Sequence, residues 1–312
     1  MSDQSLRTEI DGRALTLTNL DKVLYPATGT TKAEVLQYYL TVAPLILPVV
    51  RDRPVTRIRW PHGVASPSFF EKNVPKGAPA WVPTMTLHHT GERSGRGERD
   101  IAYPLVDEPA TLAWLAQSGA LELHVTQWRA DRETGTPLPP DRLVVDLDPG
   151  EGAGLRECAE VALAARAMLE THGMTAYAVT SGSKGMQLYA ALPPATDRGR
   201  ELLERAGSSL DYARALATAL DKQLPALVVS TMAKVERPNK VFVDWSQNNV
   251  AKTTIAPWSL RGRERPTAAV PVTWAEVESR DLHQRSLAEA LERAGSPETQ
   301  AISAAIAHGP EM

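Results

Sequence analysis

The chain has 312 residues, 43% of them hydrophobic, with 34 basic and 37 acidic side chains and a net charge of −3. It is long enough for one large α/β domain or two small ones with a real core. It has neither an apolar run of about 18 residues nor a charged and apolar leader at its start, so a soluble cytoplasmic protein is expected. The single cysteine, Cys158, excludes an internal disulfide and a cysteine-rich metal cluster, and a small buried hydrophobe on a helix is its expected role. Basic groups gather at Arg57–Arg59, Lys72–Lys76, Lys234–Lys240 and Arg261–Arg265. Any nucleic-acid contact therefore rests on local patches and not on global charge.

Residues 14–19 alternate as a strand, and residues 20–26 lead into a turn. Thr31 reads as an N-cap, with Glu34 completing a capping box, and Val35, Leu36, Tyr39, Leu40 and Ala43 give Lys32–Leu45 a helical spacing. Lys22 and Lys32 flank this helix start. They are either solvated surface residues or an anion clamp working with the exposed backbone amides. Strands are expected at 54–60 and 68–72. Phe69 and Phe70 are neighbours, so one ring is expected in the core and the other in solvent, where beside Arg57, Arg59 and Lys72 it could stack on a base. Packing of both rings between layers is the alternative. Further strands are expected at 85–89 and 101–105 around a polar loop at 91–100, with His88 and His89 as surface residues. A helix over 109–118 precedes a strand over 121–128 that sets Glu122, His124 and Thr126 on one face.

After a loop at 132–140, the apolar run Leu143-Val144-Val145 ends in Asp146-Leu147-Asp148-Pro149-Gly150. Strand residues i and i+2 share a face, so the two carboxylates project together. They repel each other unless a cation lies between them, and oxygen ligands of this kind suit Mg²⁺ or Mn²⁺. A strand-end pair with one member capping the turn is the alternative. A helix over 155–170 follows, and then strands at 176–180 and 186–189 flank Ser181-Gly182-Ser183-Lys184-Gly185. Small residues let backbone approach a phosphate while Ser and Lys supply a donor and a charge; a simple hairpin turn fits the same residues. Residues 193–207 read as a charged linker, 210–223 as a helix, and 240–248 as a strand that delivers Asp244. Three strand-end carboxylates beside a phosphate-type loop suit two-metal phosphoryl or nucleotidyl transfer.

Residues 144–150, 180–185, 241–248 and 251–263, with 17–26 and 121–128, together resemble the polymerase domain of bacterial ligase D, in the archaeo-eukaryotic primase superfamily. The resemblance spans about residues 14–295. It implies a template-dependent polymerase that adds nucleotides, ribonucleotides preferentially, at short gaps or broken DNA ends in gap filling or end joining. Asp146, Asp148 and Asp244 match the metal-binding, catalytic carboxylates of a Mn²⁺ or Mg²⁺ site. His124, Ser181, Lys184, Gln187, Gln247, Lys252 and Arg261 match positions around the incoming nucleotide, with His124 a candidate partner of the ribose 2′-hydroxyl. Lys22 and Lys32 match a pocket for a downstream 5′-phosphate, and Arg59 with Phe69 or Phe70 matches the template-facing surface. The implied partners are DNA with gaps or double-strand ends, ribo- and deoxyribonucleoside triphosphates, and a Ku protein and a separate DNA ligase, at the nucleoid during repair. Members often carry histidine where this chain has Gln187, which hydrogen-bonds but never becomes cationic.

The expected fold is α/β in the mixed α+β sense: a primase-polymerase core whose mixed central sheet is flanked by helices, with two facing sheet units around the cleft. One domain is expected over 1–312, with an accessory part to about residue 120, a catalytic core over about 121–270 and C-terminal helices over about 271–312. No ligase or nuclease domain is visible after residue 295, which reads as a stand-alone or excised domain. Two alternatives are a haloacid-dehalogenase-type phosphatase, whose D-x-D usually lies near the chain start, and a catalytically weak module that binds 5′-phosphorylated DNA ends.

Overall fold

The computed structural model describes residues 5–89 and 99–308. Most of the polar loop expected at 91–100 lies outside the described residues; its flanks, Thr84–His89 and Arg99–Pro104, pair as an antiparallel hairpin. A six-stranded mixed sheet forms the centre, its strands lying in the order Val228–Val229, Val241–Val243, Arg142–Pro149, Met186–Ala191, Ala176–Thr180, Val270–Val272. The Val228–Val229 and Val241–Val243 pair is parallel and the other pairs are antiparallel. Along Arg142–Pro149 the pleat sorts the side chains. Leu143, Val145 and Leu147 enter one apolar cluster beneath the Leu155–Thr171 and Ser209–Gln223 helices, together with the buried Cys158. Val144 faces the other way, and Asp146 and Asp148 share its face, as the two-residue period requires.

The second sheet runs Thr254–Ile255, Ala120–Val125, Val55–Arg59, Phe69–Glu71. Leu121, Leu123 and Val125 bury against a cluster built by the Lys32–Thr41 and Pro109–Gln117 helices, which leaves Glu122 and His124 for the opposite face. The expected arrangement of two sheet units around a cleft, flanked by helices, is the one observed.

Several local expectations are corrected. The single helix expected over Lys32–Leu45 is two, Lys32–Thr41 and Ala43–Val50, set at 72°. Pro44 has no amide with which to continue the first helix but suits the first turn of the second. The capping box of Thr31 and Glu34 is present. The linker expected over 193–207 contains a helix, Asp197–Ala206, capped by Thr196 and ended at Gly207 with φ of +84°. Its charges hid a narrow apolar stripe, Leu202, Leu203 and Ala206, that packs on the core. The strand expected over 121–128 ends at Val125, and Trp128–Ala130 pairs instead with Pro137–Pro140, so the loop expected at 132–140 is partly strand. Thr126 consequently leaves the face of Glu122 and His124 and donates its hydroxyl to the carbonyl of Trp128.

Three arginines cluster beside the C-terminal helix Pro297–His308, and one of them, Arg129, bonds it to this frame. Arg53 donates to the carbonyl of Val49 at 3.1 Å and Arg129 to that of Ala307 at 2.7 Å, both also reaching Asp141 Oδ2. Arg142, fully buried beside them, donates to Gln127 Oε1 at 2.7 Å. Terminal helix carbonyls lack intrahelical partners and carry partial negative charge, which accounts for the excess of guanidinium over carboxylate here. Among the described residues no single helix is long and apolar enough to cross a membrane.

Candidate active site

Asp146 and Asp148 arrive from the end of one strand and Asp244 from the end of its antiparallel neighbour, where Leu147 pairs with Val243. One oxygen from each lies within 4.8 Å of the other two. The strand expected to carry Asp244 through to Asn248 stops at Val243, because the Asp244 carboxylate accepts the amide of Ser246 and caps a 3-10 turn, Trp245–Asn248. Burial, and then the charge of Asp148, push the Asp146 carboxyl well above its ordinary range; burial and then Asp244 raise Asp148. Carboxylates crowded in this way are offset by a divalent cation, and a donor set made wholly of hard oxygens fits Mg²⁺ or Mn²⁺. The three residues thus fit the metal expected of them.

Asp146 and Asp148 open onto a cleft of about 510 Å³. The wall next to the carboxylates is the Ser181–Gly185 turn, which joins Ala176–Thr180 to the strand Met186–Ala191 paired with the carboxylate strand. Gly182 has φ of +68°, and a Cβ on Gly185 would lie 1.9 Å from the carbonyl oxygen of Leu147. Only glycine lets this turn sit so close to the carboxylate strand. Ser181 and Lys184 line the cleft as expected, and Ser183, which sequence reasoning did not single out, accepts a hydrogen bond from Arg263 at 2.7 Å. Arg237 and Arg263 also line the cleft and were legible in the sequence only as members of basic runs. Arg237 lies 3.7 Å over the Phe242 ring.

His124 and Arg261 reach the cleft from the second sheet and the segment beside it, and both attach to Glu122. The carboxylate accepts from His124 Nε2 at 2.9 Å, from Arg261 Nη1 at 3.2 Å and from the Gly262 amide at 3.0 Å. Gln187 donates to Asp146 Oδ1 at 2.9 Å, and the Tyr189 hydroxyl lies 2.8 Å from Gln187 Oε1. Gln247 lines the cleft and donates to Asp244 Oδ2 at 2.8 Å. Lys252 lies behind it, bonded to Ser246 and 3.9 Å from Asp244 Oδ2.

The remaining expected residues lie on the N-terminal part, outside this cleft. Lys32 is not a solvated surface residue: it is 7% exposed and donates to the carbonyl of Thr18 at 2.8 Å. Burial first, and then the charge of Lys22, lower its pKa to about 8. Lys22 Nζ lies 3.5 Å from His62 Nδ1, a neighbour that its distance in sequence concealed. Arg59 pairs with Glu71 and with the carbonyl of Ser118, both at 2.8 Å. Phe69 and Phe70 are both half-exposed, at 51% and 62%, where one had been expected in the core. Their strand is short and lies at the sheet edge, so neither face is covered. His88 is on the surface as expected, bonded to Asp100.

A carboxylate triad beside a glycine-tight Ser/Lys turn at the end of one sheet, with His124 and Arg261 reaching the same cleft from the other sheet unit, fits a metal-dependent nucleotidyl-transfer domain of the primase-polymerase class. The family model described as LigD, primase-polymerase domain, matches residues 31–298, so the chain belongs to this family of DNA-repair nucleotidyltransferases. It is 50% identical over 284 residues to the multifunctional non-homologous end joining protein LigD of Mycobacterium bovis, an alignment covering 89% of this chain and 35% of that protein. It is 32% identical over 265 residues to the bifunctional non-homologous end joining protein LigD of Bacillus subtilis, covering 85% of this chain and 40% of that one. The chain therefore spans about a third of the length of the former relative. Among solved structures it resembles the polymerase domain from Mycobacterium tuberculosis ligase D in complex with DNA, with a TM-score of 0.83 and 47% identity, covering 95% of this chain and 99% of that one.

Proposed function

We propose that this domain adds nucleotides, ribonucleotides in preference, to a primer strand at short gaps and broken DNA ends under the direction of a template. The observation that carries the reading is a single cleft lined by Asp146 and Asp148 of the carboxylate triad together with Ser181, Lys184, Arg261 and Arg263. A nucleoside triphosphate is the ligand that needs both the carboxylates and the positively charged donors. In nucleotidyl transfer a 3′-hydroxyl attacks the α-phosphorus, its proton leaves, a new phosphodiester bond forms and pyrophosphate departs. Asp146, Asp148 and Asp244 would hold Mn²⁺ or Mg²⁺, which when bound offsets the triphosphate charge and lowers the pKa of the attacking hydroxyl. Lys184, Arg261 and Arg263 offer donors and positive charge to the phosphates, and the Ser181–Gly185 turn brings backbone close to them. His124 stands on the cleft wall as the candidate partner of a ribose 2′-hydroxyl.

Gln187 does not favour a catalytically weak end-binding module. Its amide donates to Asp146, a contact that a neutral histidine N–H could also make, so the orientation of the carboxylate survives the exchange. Lys22 and Lys32 form the proposed pocket for a downstream 5′-phosphate, and Phe69, Phe70 and Arg59 the surface that meets the template. An accessory part over about 1–120 thus recognises the end while a core over about 121–270 performs transfer, followed by helices to 312. A role in end joining is supported by the names of the relatives, and location at the nucleoid in the cytoplasm and partnership with Ku and a ligase form part of the proposal.

The test is extension of a primer on a short-gapped duplex with a 5′-phosphate downstream, in Mn²⁺ or Mg²⁺, with ribo- or deoxyribonucleotides. Templated addition that favours ribonucleotides, is lost in Asp146→Ala and weakens when the downstream phosphate is removed supports the whole reading. End binding without incorporation in either metal overturns the polymerase assignment.

A further inference from the structure

Glu122 is 5% exposed, and three groups of the cleft wall converge on its carboxylate: the His124 ring, the Arg261 guanidinium and the Gly262 amide, at 2.9, 3.2 and 3.0 Å. Burial by itself would raise its pKa, but the His124 hydrogen bond, the Arg261 charge and the Gly262 amide outweigh burial and hold it below the ordinary carboxylate range. It therefore carries full negative charge at neutral pH. The segment it grips is fixed from other sides as well. Tyr25 donates its hydroxyl to the Arg261 carbonyl at 2.9 Å, and a Cβ on Gly262 would overlap the Trp60 ring at 2.2 Å. Ser259 Oγ accepts the amide of Leu123 at 2.8 Å, locking the segment to the strand that bears Glu122. The backbone of Arg261 and Gly262 is thus settled by its neighbours, whereas the side chains of Arg261 and His124 take their direction from Glu122.

We infer that Glu122 is a positioning residue for the incoming nucleotide, acting through Arg261 and His124 and not by touching the reacting atoms. With one carboxylate it does two things. It points a guanidinium into the cleft that would otherwise explore several rotamers, which lowers the ordering cost of binding a triphosphate. It also receives the Nε2–H of His124, so that in the neutral ring Nδ1 is left as the acceptor, the form that takes a hydrogen bond from a sugar hydroxyl. Its negative charge opposes the triphosphate, yet Arg261 already neutralises it at 3.2 Å, so the pair meets the ligand as an oriented dipole with its positive end toward the cleft. Glu122 belongs to the ground-state binding of nucleotide, while the carboxylates across the cleft belong to the chemical step. The inference deepens the proposed function and rests on it for the identity of the ligand.

The experiment compares wild type with Glu122→Gln and Glu122→Asp, each checked for an unchanged melting temperature. Two readouts are taken: steady-state templated incorporation of a ribonucleotide, and equilibrium binding of a non-incorporable α,β-imido nucleotide with Mn²⁺, which needs no turnover. Glu122→Gln keeps the shape but offers a donor where only acceptors fit. It should raise the nucleotide KM and the analogue Kd about tenfold, the effect of losing one charge-assisted contact, while kcat and affinity for 5′-phosphorylated gapped DNA stay within about twofold of wild type. Glu122→Asp, which retains the charge, should recover part of the loss. In the Arg261→Met background the Glu122→Gln effect should shrink to a few-fold, because one of the two groups through which it acts is gone. An unchanged KM and analogue Kd, or a fall confined to kcat, or an undiminished effect in the Arg261→Met background, overturns the inference. A wild type that binds the analogue but incorporates nothing counts against the proposed polymerase activity, while the binding arm still decides the role of Glu122.

Discussion

Gln187 lies directly across the strand pair from Asp146 and donates its amide to that carboxylate at 2.9 Å, while the Tyr189 hydroxyl lies 2.8 Å from the Gln187 side-chain oxygen. The fully buried Arg142 guanidinium sits 5.2 Å over the Tyr189 ring, so the triad is backed by a polar chain running into the core. Removing the middle of such a chain leaves the Asp146 carboxylate without its amide donor, while the Tyr189 hydroxyl keeps the Ile255 carbonyl at 3.1 Å as a partner. Gln187→Leu should cost about 1–3 kcal/mol of stability by thermal or urea unfolding and lower kcat by about tenfold or more, with a higher Mn²⁺ requirement. Gln187→His should keep activity within a few-fold. Equal losses in the two variants would show that side-chain volume matters here and the bond to Asp146 does not.

If Lys32 forms the proposed 5′-phosphate pocket, its burial should make end recognition depend on pH. Its pKa is lowered to about 8 from 10.5, first by burial and then by Lys22. A phosphate dianion beside it favours the ammonium, so the phosphate-bound state keeps a proton that the free protein loses above about 8. The preference for a 5′-phosphate over a 5′-hydroxyl downstream end should therefore hold near pH 7 and fall about tenfold by pH 9, one pKa unit above the lysine. The same shift has the opposite sense for folding. Between 8 and 10.5 the unfolded chain holds a proton that the native state has released, so this group adds stability as pH rises through that window. Binding of both ends at each pH, repeated in Lys32→Met, is the measurement. Lys32→Met should show little preference at any pH, and a pH-dependent preference that survives in it would place the phosphate elsewhere.

For the carboxylate triad the sign is the reverse of the usual acid case. Asp146 and Asp148 are raised above their unfolded value of 3.8, each by burial first and then by a neighbouring carboxylate. At pH values between 3.8 and the raised pKa the native state binds protons that the unfolded state does not, so metal-free protein gains stability from these groups as pH falls. A divalent cation removes the cause. The contribution of these groups to the metal-free melting temperature should grow as pH falls from their raised pKa toward 3.8, and that slope should flatten in saturating Mn²⁺. Asp146→Asn should raise the metal-free melting temperature at pH 8 while abolishing most of the stabilisation by Mn²⁺. A metal-induced stabilisation equal to that of wild type in Asp146→Asn would remove Asp146 from the ligand set.

What the sequence made legible here was local and periodic. The common face of Asp146 and Asp148 follows from a spacing of two in a strand, and the capping box from Thr31 and Glu34. The glycines around Lys184 announce a close approach, although only the structure shows that the approach is to the carbonyl of Leu147. Glu122 was placed on the correct face but not recognised as an anchor, because its partners Arg261 and Gly262 lie about 140 residues away. Burial of Lys32 was hidden for a similar reason, since its partner is a backbone carbonyl that no side-chain pattern marks. The Asp197–Ala206 helix was missed because its charged residues outnumber its apolar stripe. The exposure of both Phe69 and Phe70 was missed because alternation shows that two rings face opposite ways, not whether anything covers either face.

Those two rings provide a test that separates DNA contact from fold. Both stand on the edge strand Phe69–Glu71, each more than half exposed, in a chain that has three phenylalanines in all. Glu71 of the same strand holds the guanidiniums of Arg57 and Arg59, at 2.9 and 2.8 Å, so the strand is braced without help from the rings. Such rings contribute little to the core, and their burial against a base would be worth about 1–3 kcal/mol each. Phe69→Ala and Phe70→Ala should therefore leave the melting temperature within about 1 °C of wild type, since exposed positions lie outside the mechanisms that cost stability. At least one of them should weaken binding of a gapped duplex by about 5- to 150-fold, the range that the loss of a single base stack gives. The Kd of the non-incorporable nucleotide in the absence of DNA should not change, because neither ring lines the cleft. Unchanged DNA affinity in the double variant would remove the two rings from the template surface and leave Arg59 and the lysines as the proposed contribution of the N-terminal part to the end.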